Sequence, residues 1–322
     1  MGVSDIIAAS TEPVNKLLDA VTGAIGKAYE ARHIRKMADA KAYEIKTICE
    51  EVRNNSDIPI VYSGTGVEVD TSNYEELARR AGSRLAYQEI AKQENIEAVV
   101  DCAYQELLGK SSTNGENVSR DWMTRFINSV EDISSENMQK LWGKILAGEI
   151  LEPSTFSYKT LECMRNLSKK DAELFERLCK IVIEDSFIIS DLNILKNWGF
   201  TYNDILSMDE CGLINSSGII RRGKKISHQN FIIIDFGEYL LMGKAKEAES
   251  IDELAIEHFS LTKAGREISS IIEAECPFDY IKEVSENIKN TNTHCVVTLH
   301  KINKKYEDNI EFEEKDLLTG KE

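Results

Sequence analysis

Several chemistries are missing from this sequence. Its seven cysteines form no Cys-x-x-Cys pair and no spacing suited to zinc. None of its five histidines falls in a His-Glu-x-x-His pattern. There is no Gly-x-Ser-x-Gly elbow for a hydrolase. Ser63-Gly64-Thr65-Gly66 lacks the Gly-Lys-Ser/Thr ending of a phosphate loop, so its glycines read as turn residues. Paired acids such as Glu50-Glu51 and Glu313-Glu314 read as solvated charge. No enzyme is expected, and no catalytic residue, metal ligand or cofactor is assigned.

Membrane signals are missing too. No run of 18 apolar residues and no charged-then-apolar leader occurs, so neither spanning nor secretion is expected. Residue 6 is Ile, not the Ser or Thr that favours myristoylation. Cys49, Cys163 and Cys179 sit within helical patterns, as small hydrophobes do, which points to a reducing cytoplasm. Basic charge is short: 39 Lys and Arg against 55 Asp and Glu give a net charge of −16. That argues against a general nucleic-acid sleeve and leaves room only for a local basic patch.

What is present is helix. With 42% hydrophobic and 29% charged residues, the 322-residue chain is globular and long enough for two domains. Its centre is Trp122 to Leu178. Ser135 can cap a helix with Met138, Leu141, Trp142, Ile145 and Leu146 on one face, and Gln139, Lys140 and Lys144 on the other. Gly148 and Pro153 signal its end. Ser168 with Asp171 opens the next helix in capping-box fashion, with Phe175, Leu178 and Cys179 on its apolar face. Between them a short helix would turn Tyr158, Leu161 and Met164 inward, and upstream Trp122, Phe126 and Val130 recur every four residues. Trp122, Phe126, Leu141, Trp142, Ile145 and Phe175 are the predicted structural core.

Upstream, Thr11-Glu12-Pro13 reads as a helix start, followed by Val14, Leu17, Leu18 and Val21. Its polar face carries Glu12, Lys16 and Asp19 rather than a basic excess, so packing is favoured over a membrane surface. Residues 27–52 are the most basic helical pattern, and Arg32, Arg35 and Lys36 there are candidates for a partner face. Residues 58–70 read as a short hairpin or extended loop. Ser72 with Glu75 opens a long helix bearing Tyr74, Leu77, Ala78, Ala81 and Leu85, with Arg79, Arg80 and Arg84 as further partner-face candidates.

The segments 84–97, Asp-Trp-Met-Thr-Arg-Phe (121–126), Met-Gln-Lys-Leu-Trp-Gly-Lys-Ile-Leu-Ala-Gly-Glu-Ile (138–150) and 156–168 resemble the bacterial domain-of-unknown-function 2806 family. The likeness is dense over about 70–185 and thinner to about 270. That family's Pro-Gly before Phe-Ser is Pro153-Ser154 here, which bears on the tightness of that turn. The resemblance implies no catalytic residues. Leu141-Trp142-x-x-Ile145-Leu146-Ala147 is also similar to a helical module of abortive phage infection proteins, which implies a setting in phage defence or stress response.

Past Val182 the texture changes. Residues 191–198 and 202–208 read as short helices around Gly199, and 219–220 and 231–236 as strands. Gly212-Leu213-Ile214 before a wing and Leu261-Thr262-x-x-Gly265-x-x-Ile268 after it resemble the winged-helix superfamily. Arg221, Arg222, Lys224 and Lys225 are the candidate nucleic-acid contact; a wing facing solvent or its own acidic neighbour fits the same residues.

The reading is therefore a mainly α chain: an N-terminal multi-helix bundle, then a smaller α+β winged-helix-like domain. Its parts are 1–69 (amphipathic helices and hairpin), 70–185 (helical core), 186–306 (winged-helix-like) and 307–322 (acidic tail with disordered last residues). The expected role is a non-catalytic cytoplasmic interaction protein, an adaptor or sensor with a protein partner, compatible with a homo-oligomer. The alternatives are a DNA-binding regulator acting through the wing and the helix before it and, further off, a membrane-active effector acting through residues 4–28.

Overall fold

The computed structural model describes residues 3–25, 60–63, 66–69, 72–111, 116–226, 231–246, 252–306 and 309–320. It describes the backbone alone at 3–11, 25, 60–63, 66–69, 72–75, 217–222, 224–226 and 252. The fold is mainly α with antiparallel sheets. The chain divides into two compact units, Met1–Thr155 and Phe156–Glu322. Residues 158–179, with Phe175, thus fall in the second unit, although the sequence groups them with the central helices.

The first unit holds α1 (Val3–Ile25), the hairpin β1 (Ile60–Ser63) and β2 (Gly66–Val69), and the helices α2 (Ser72–Leu107), α3 (Arg120–Val130) and α4 (Glu136–Leu151). Its core is aromatic. Trp122 stacks on Phe126 at 5.1 Å between ring centroids, and Phe126 meets Trp142 edge-on at 5.5 Å. Trp142, Ile145, Leu146 and Val130 are fully buried. Burial of each such side chain contributes roughly 1.5–3 kcal/mol. Gly143 lets α2 and α4 approach closely, because a Cβ there would stand 2.5 Å from Cys102 Cβ and 3.0 Å from the Ala103 nitrogen. Leu17 and Val21 of α1 are also buried.

Several expectations need correction here. Leu141 is only half-buried, and Gln139, expected on the outer face, is buried. Its Nε2 donates to the Ile133 carbonyl at 2.9 Å and to Asn95 Oδ1 at 3.5 Å, so its polar head is satisfied inside. Helix α1 begins at Val3, which places Pro13 inside it rather than in its first turn. The stripe predicted to face inward along α2 is solvent-exposed at Leu77 (55%) and Leu85 (48%), and burial starts only at Ile96. The reason is length. At 1.5 Å per residue, α2 reaches about 54 Å and α4 about 24 Å.

The second unit holds α5 (Tyr158–Asn166), α6 (Lys169–Cys179), β3 (Phe187–Ile189), α7 (Leu192–Asn197), α8 (Tyr202–Glu210), β4 (Ile214–Ile226), β5 (Ile232–Asp235), β6 (Tyr239–Ala245), β7 (Asp252–Leu261), α9 (Lys263–Ser269), α10 (Phe278–Thr291), β8 (Cys295–Lys305) and β9 (Ile310–Phe312). Local signals start its helices. Ser168–Asp171 and Thr201–Asp204 form full capping boxes, Asp191 accepts from the Asn193 and Ile194 amides, and Thr262 accepts from the Gly265 amide. One antiparallel sheet has the order β3-β7-β4, the other β5-β6-β8-β9.

Two readings change in this unit. Tyr158 is 43% exposed, and Thr160 takes its inward place, with its hydroxyl on the Glu267 carboxylate. Glu267 also accepts from the Ser157 amide at 2.7 Å and so caps α5 from another helix. The stretches 219–220 and 231–236, both read as strands, are strands of different sheets, and the latter pairs with β6. The stretch expected as an acidic tail joins that sheet through β9. There Leu317 N–H bonds the Leu299 carbonyl at 2.8 Å, and Asp316 accepts from the amides of Leu299 and Leu318 and from Thr319 Oγ1. Residues 321–322 lie outside the described ones.

Candidate interaction surface

The residues singled out from sequence lie in three separate stretches of the chain. Arg32, Arg35 and Lys36 lie outside the described residues. Arg79, Arg80 and Arg84 are exposed on α2, where Arg79 pairs with Glu76 at 2.8 Å one turn away and Arg80 lies 3.8 Å from the same carboxylate. Such exposed pairs contribute little.

Arg221, Arg222, Lys224 and Lys225 lie along β4, where only the backbone is described. The β4–β7 register sets Arg221 opposite Glu257 and Lys225 opposite Glu253, and directly opposed residues share a sheet face. Arg222 and Lys224 stand opposite Ile256 and Leu254, both buried. The Glu253 carboxylate occupies the space where a Cβ of Gly223 would stand, so the missing side chain admits an acid at the middle of this stretch of β4. The basic cluster is thus interleaved with acidic positions.

Helix α8 lies just before that strand. Ile205 and Met208 are buried, and Tyr202, Asn203, Leu206 and Glu210 form the exposed face. Asp204 is used by the capping box. Asp209 accepts from Ser216 N at 3.0 Å and Ser216 Oγ at 2.5 Å, which ties the helix to β4. Residues 202–210 contain Asp204, Asp209 and Glu210 and no Lys or Arg. The sequence reading took this helix up only as part of the DNA-binding alternative, although its signal for a protein face, an acidic helix with two exposed apolar residues, lies in nine consecutive positions.

A cleft of about 380 Å³ opens where β7 runs on past β3 toward α10. Its polar groups are largely engaged in the fold. Asn292 Oδ1 accepts from the Ala255 amide and its Nδ2 donates to the Ala255 carbonyl, so this buried amide stands in for a neighbouring strand. Asn287 Nδ2 donates to Asp191 at 3.0 Å. Among the described residues no group of three His, Cys, Asp or Glu could hold a metal. Burial pushes the thiols up, Cys163 to about 11 and Cys179 and Cys276 to about 12, which leaves them protonated and poor nucleophiles. No described helix is long and apolar enough to cross a membrane.

By fold, then, this is a mainly α protein whose second unit carries antiparallel sheets and an acidic exposed helix. Residues 79–186 match the family described as "Protein of unknown function (DUF2806)". The matched segment runs across the division between the two units. No curated protein and no solved structure matches the chain.

Proposed function

We propose that this chain is a non-catalytic interaction protein, an adaptor or sensor, whose second unit is a winged-helix-like module that contacts protein and not DNA. The order β3, α7, α8, β4, β7 with sheet order β3-β7-β4 supports the winged-helix comparison; β5 and β6 are then an insertion between the two wing strands. The observation that carries the protein reading is the charge of α8. In such modules the second helix of the pair enters the major groove, and here it bears three carboxylates and no cation. Phosphate binding requires the opposite sign. Exposed Tyr202 and Leu206 on that face suit a protein partner. A cytoplasmic setting in phage defence or stress response extends the resemblance of the central helices.

The second reading, a DNA-binding regulator, draws on Arg221, Arg222, Lys224 and Lys225 along one strand. Anisotropy of a labelled mixed-sequence duplex at low salt separates the two. The expected result is no binding below about 10 μM, within the range typical of non-specific binders, together with a nuclease-resistant protein in affinity purifications that Tyr202→Ala/Leu206→Ala releases. Salt-dependent duplex binding that disappears on charge reversal of the four β4 cations would overturn the proposal.

A further inference from the structure

We infer that the outer edge of β5 is a self-association surface, on which a second copy of this chain adds its own β5 antiparallel about a two-fold axis through Ile233. This inference is independent of the winged-helix reading.

The backbone dictates the geometry. Strand β5 is at the end of its sheet and pairs with β6 alone among the described residues. At the β5–β6 turn, Phe236 N–H bonds the Tyr239 carbonyl at 2.9 Å. Hydrogen-bonded and non-bonded pairs alternate in an antiparallel ladder, so Ile234–Leu241 and Ile232–Gly243 are bonded pairs. Ile233–Met242 and Asp235–Leu240 are the non-bonded ones. The N–H and C=O of Ile233 and Asp235, and by continuation of Phe231, therefore point away from β6 to the open edge. That edge carries Phe231-Ile-Ile-Ile-Asp235, with no proline, lysine or bulge of the kind that usually guards an edge strand.

The side chains fit the same partner. Ile232 and Ile234 are buried on the core face, while Phe231 (45%) and Ile233 (36%) are exposed on the other. Val296 (43%) extends this apolar face two strands inward, opposite Lys244. A two-fold through Ile233 sets Ile233 against its own copy and Phe231 against the Asp235 of the second copy, with about six edge hydrogen bonds closed. Lys244 lies 6.0 Å from the Phe231 ring centroid, so the same axis brings Lys244 of each copy toward the Asp235 carboxylate of the other. That carboxylate is held in place by Lys305 at 2.7 Å. The edge is thus complementary to itself in hydrogen bonds, apolar surface and charge. It is also short, which makes the dimer weak.

Sedimentation velocity on the full chain from about 1 to 100 μM tests this, with the dimer expected to form within that range, as suits a weak, short interface. The discriminating variant is Ile233→Pro. It removes only an outward N–H and leaves the β5–β6 ladder intact, so the dimer should be lost with the thermal midpoint nearly unchanged. Ile233→Lys should give the same result if the proline variant folds poorly, and Lys244→Glu should weaken the dimer several-fold. Leu85→Lys, on exposed α2, should leave the dimer intact. A chain that stays monomeric at 100 μM overturns the proposal. So does a dimer that survives both Ile233 variants or that disappears with Leu85→Lys.

Discussion

Gly265, in the first turn of α9, lies with its Cα directly against the carbonyl of Leu213, where a Cβ would overlap the oxygen. Thr262 donates its hydroxyl to the Gly212 carbonyl at 2.6 Å and its N–H to the Leu213 carbonyl at 2.9 Å, and its hydroxyl also caps α9. The two short motifs, Gly212-Leu213-Ile214 and Leu261-Thr262-x-x-Gly265-x-x-Ile268, are thus two sides of one contact. Gly265→Ala should destabilise the second unit by about 1–3 kcal/mol through overpacking against a rigid backbone. Thr262→Ala should cost about 1 kcal/mol for the lost cap. Urea unfolding followed by circular dichroism measures both.

In the first unit the matching test is Trp142→Ala. Trp142 is fully buried against Phe126, and truncation should cost about 3–5 kcal/mol. Gly143→Ala should also destabilise, because Cys102 Cβ and the α2 backbone block the new methyl. A wild-type urea midpoint for either variant contradicts this packing.

Ser154 holds φ +75°, a conformation glycine adopts without cost, and its N–H donates to buried Glu149 at 2.7 Å. Ser154→Gly should therefore raise stability by about 0.5–1 kcal/mol, seen as an upward shift of the thermal midpoint; a downward shift would mean that the serine side chain carries weight of its own.

Burial raises the Cys179 and Cys276 thiols from 9.0 to about 12. A raised value means that the folded chain keeps a proton the unfolded chain has released. The contribution is complete below pH 9 and is lost as pH climbs toward 12. Urea midpoints should fall between pH 8.5 and 10.5, less steeply in Cys179→Ala/Cys276→Ala. Iodoacetamide at pH 7.5 should label these two thiols only after unfolding.

Burial would raise Asp316, but hydrogen bonds from Thr319 and the Leu299 and Leu318 amides outweigh it and hold its carboxyl below 3.8. The sign is opposite to that of the thiols: this stabilisation is present above pH 3.8 and is lost as pH falls through the folded value. Asp316→Ala should cost about 1–3 kcal/mol by leaving buried donors unmet, and hydrogen exchange at Leu299 and Leu317 should accelerate by the corresponding factor.

Much of the framework is readable in local sequence. The Ser168–Asp171 capping box, the hairpin at 60–69, the helices on either side of Gly199 and the Trp122–Phe126–Trp142 core follow from capping groups and apolar spacing, which act within a few residues. That is also why the family likeness was legible in short phrases around Trp142.

Tertiary structure decided which of these signals meet. Period alone marks Leu77, Leu85 and Tyr158 as inward, yet they face solvent, because burial depends on whether another element reaches them. Gln139 reads as an outer residue, yet the Ile133 carbonyl awaits it inside. The basic run of β4 looks like a free patch in sequence, and only the strand register sets Glu253 and Glu257 across from it. The acids near the C-terminus read as a loose tail, and only strand pairing with β8 fixes Asp316 in place. Helix caps and periodicity are local, whereas burial, register and charge pairing join residues far apart in the chain, and the sequence carries no mark of those distances.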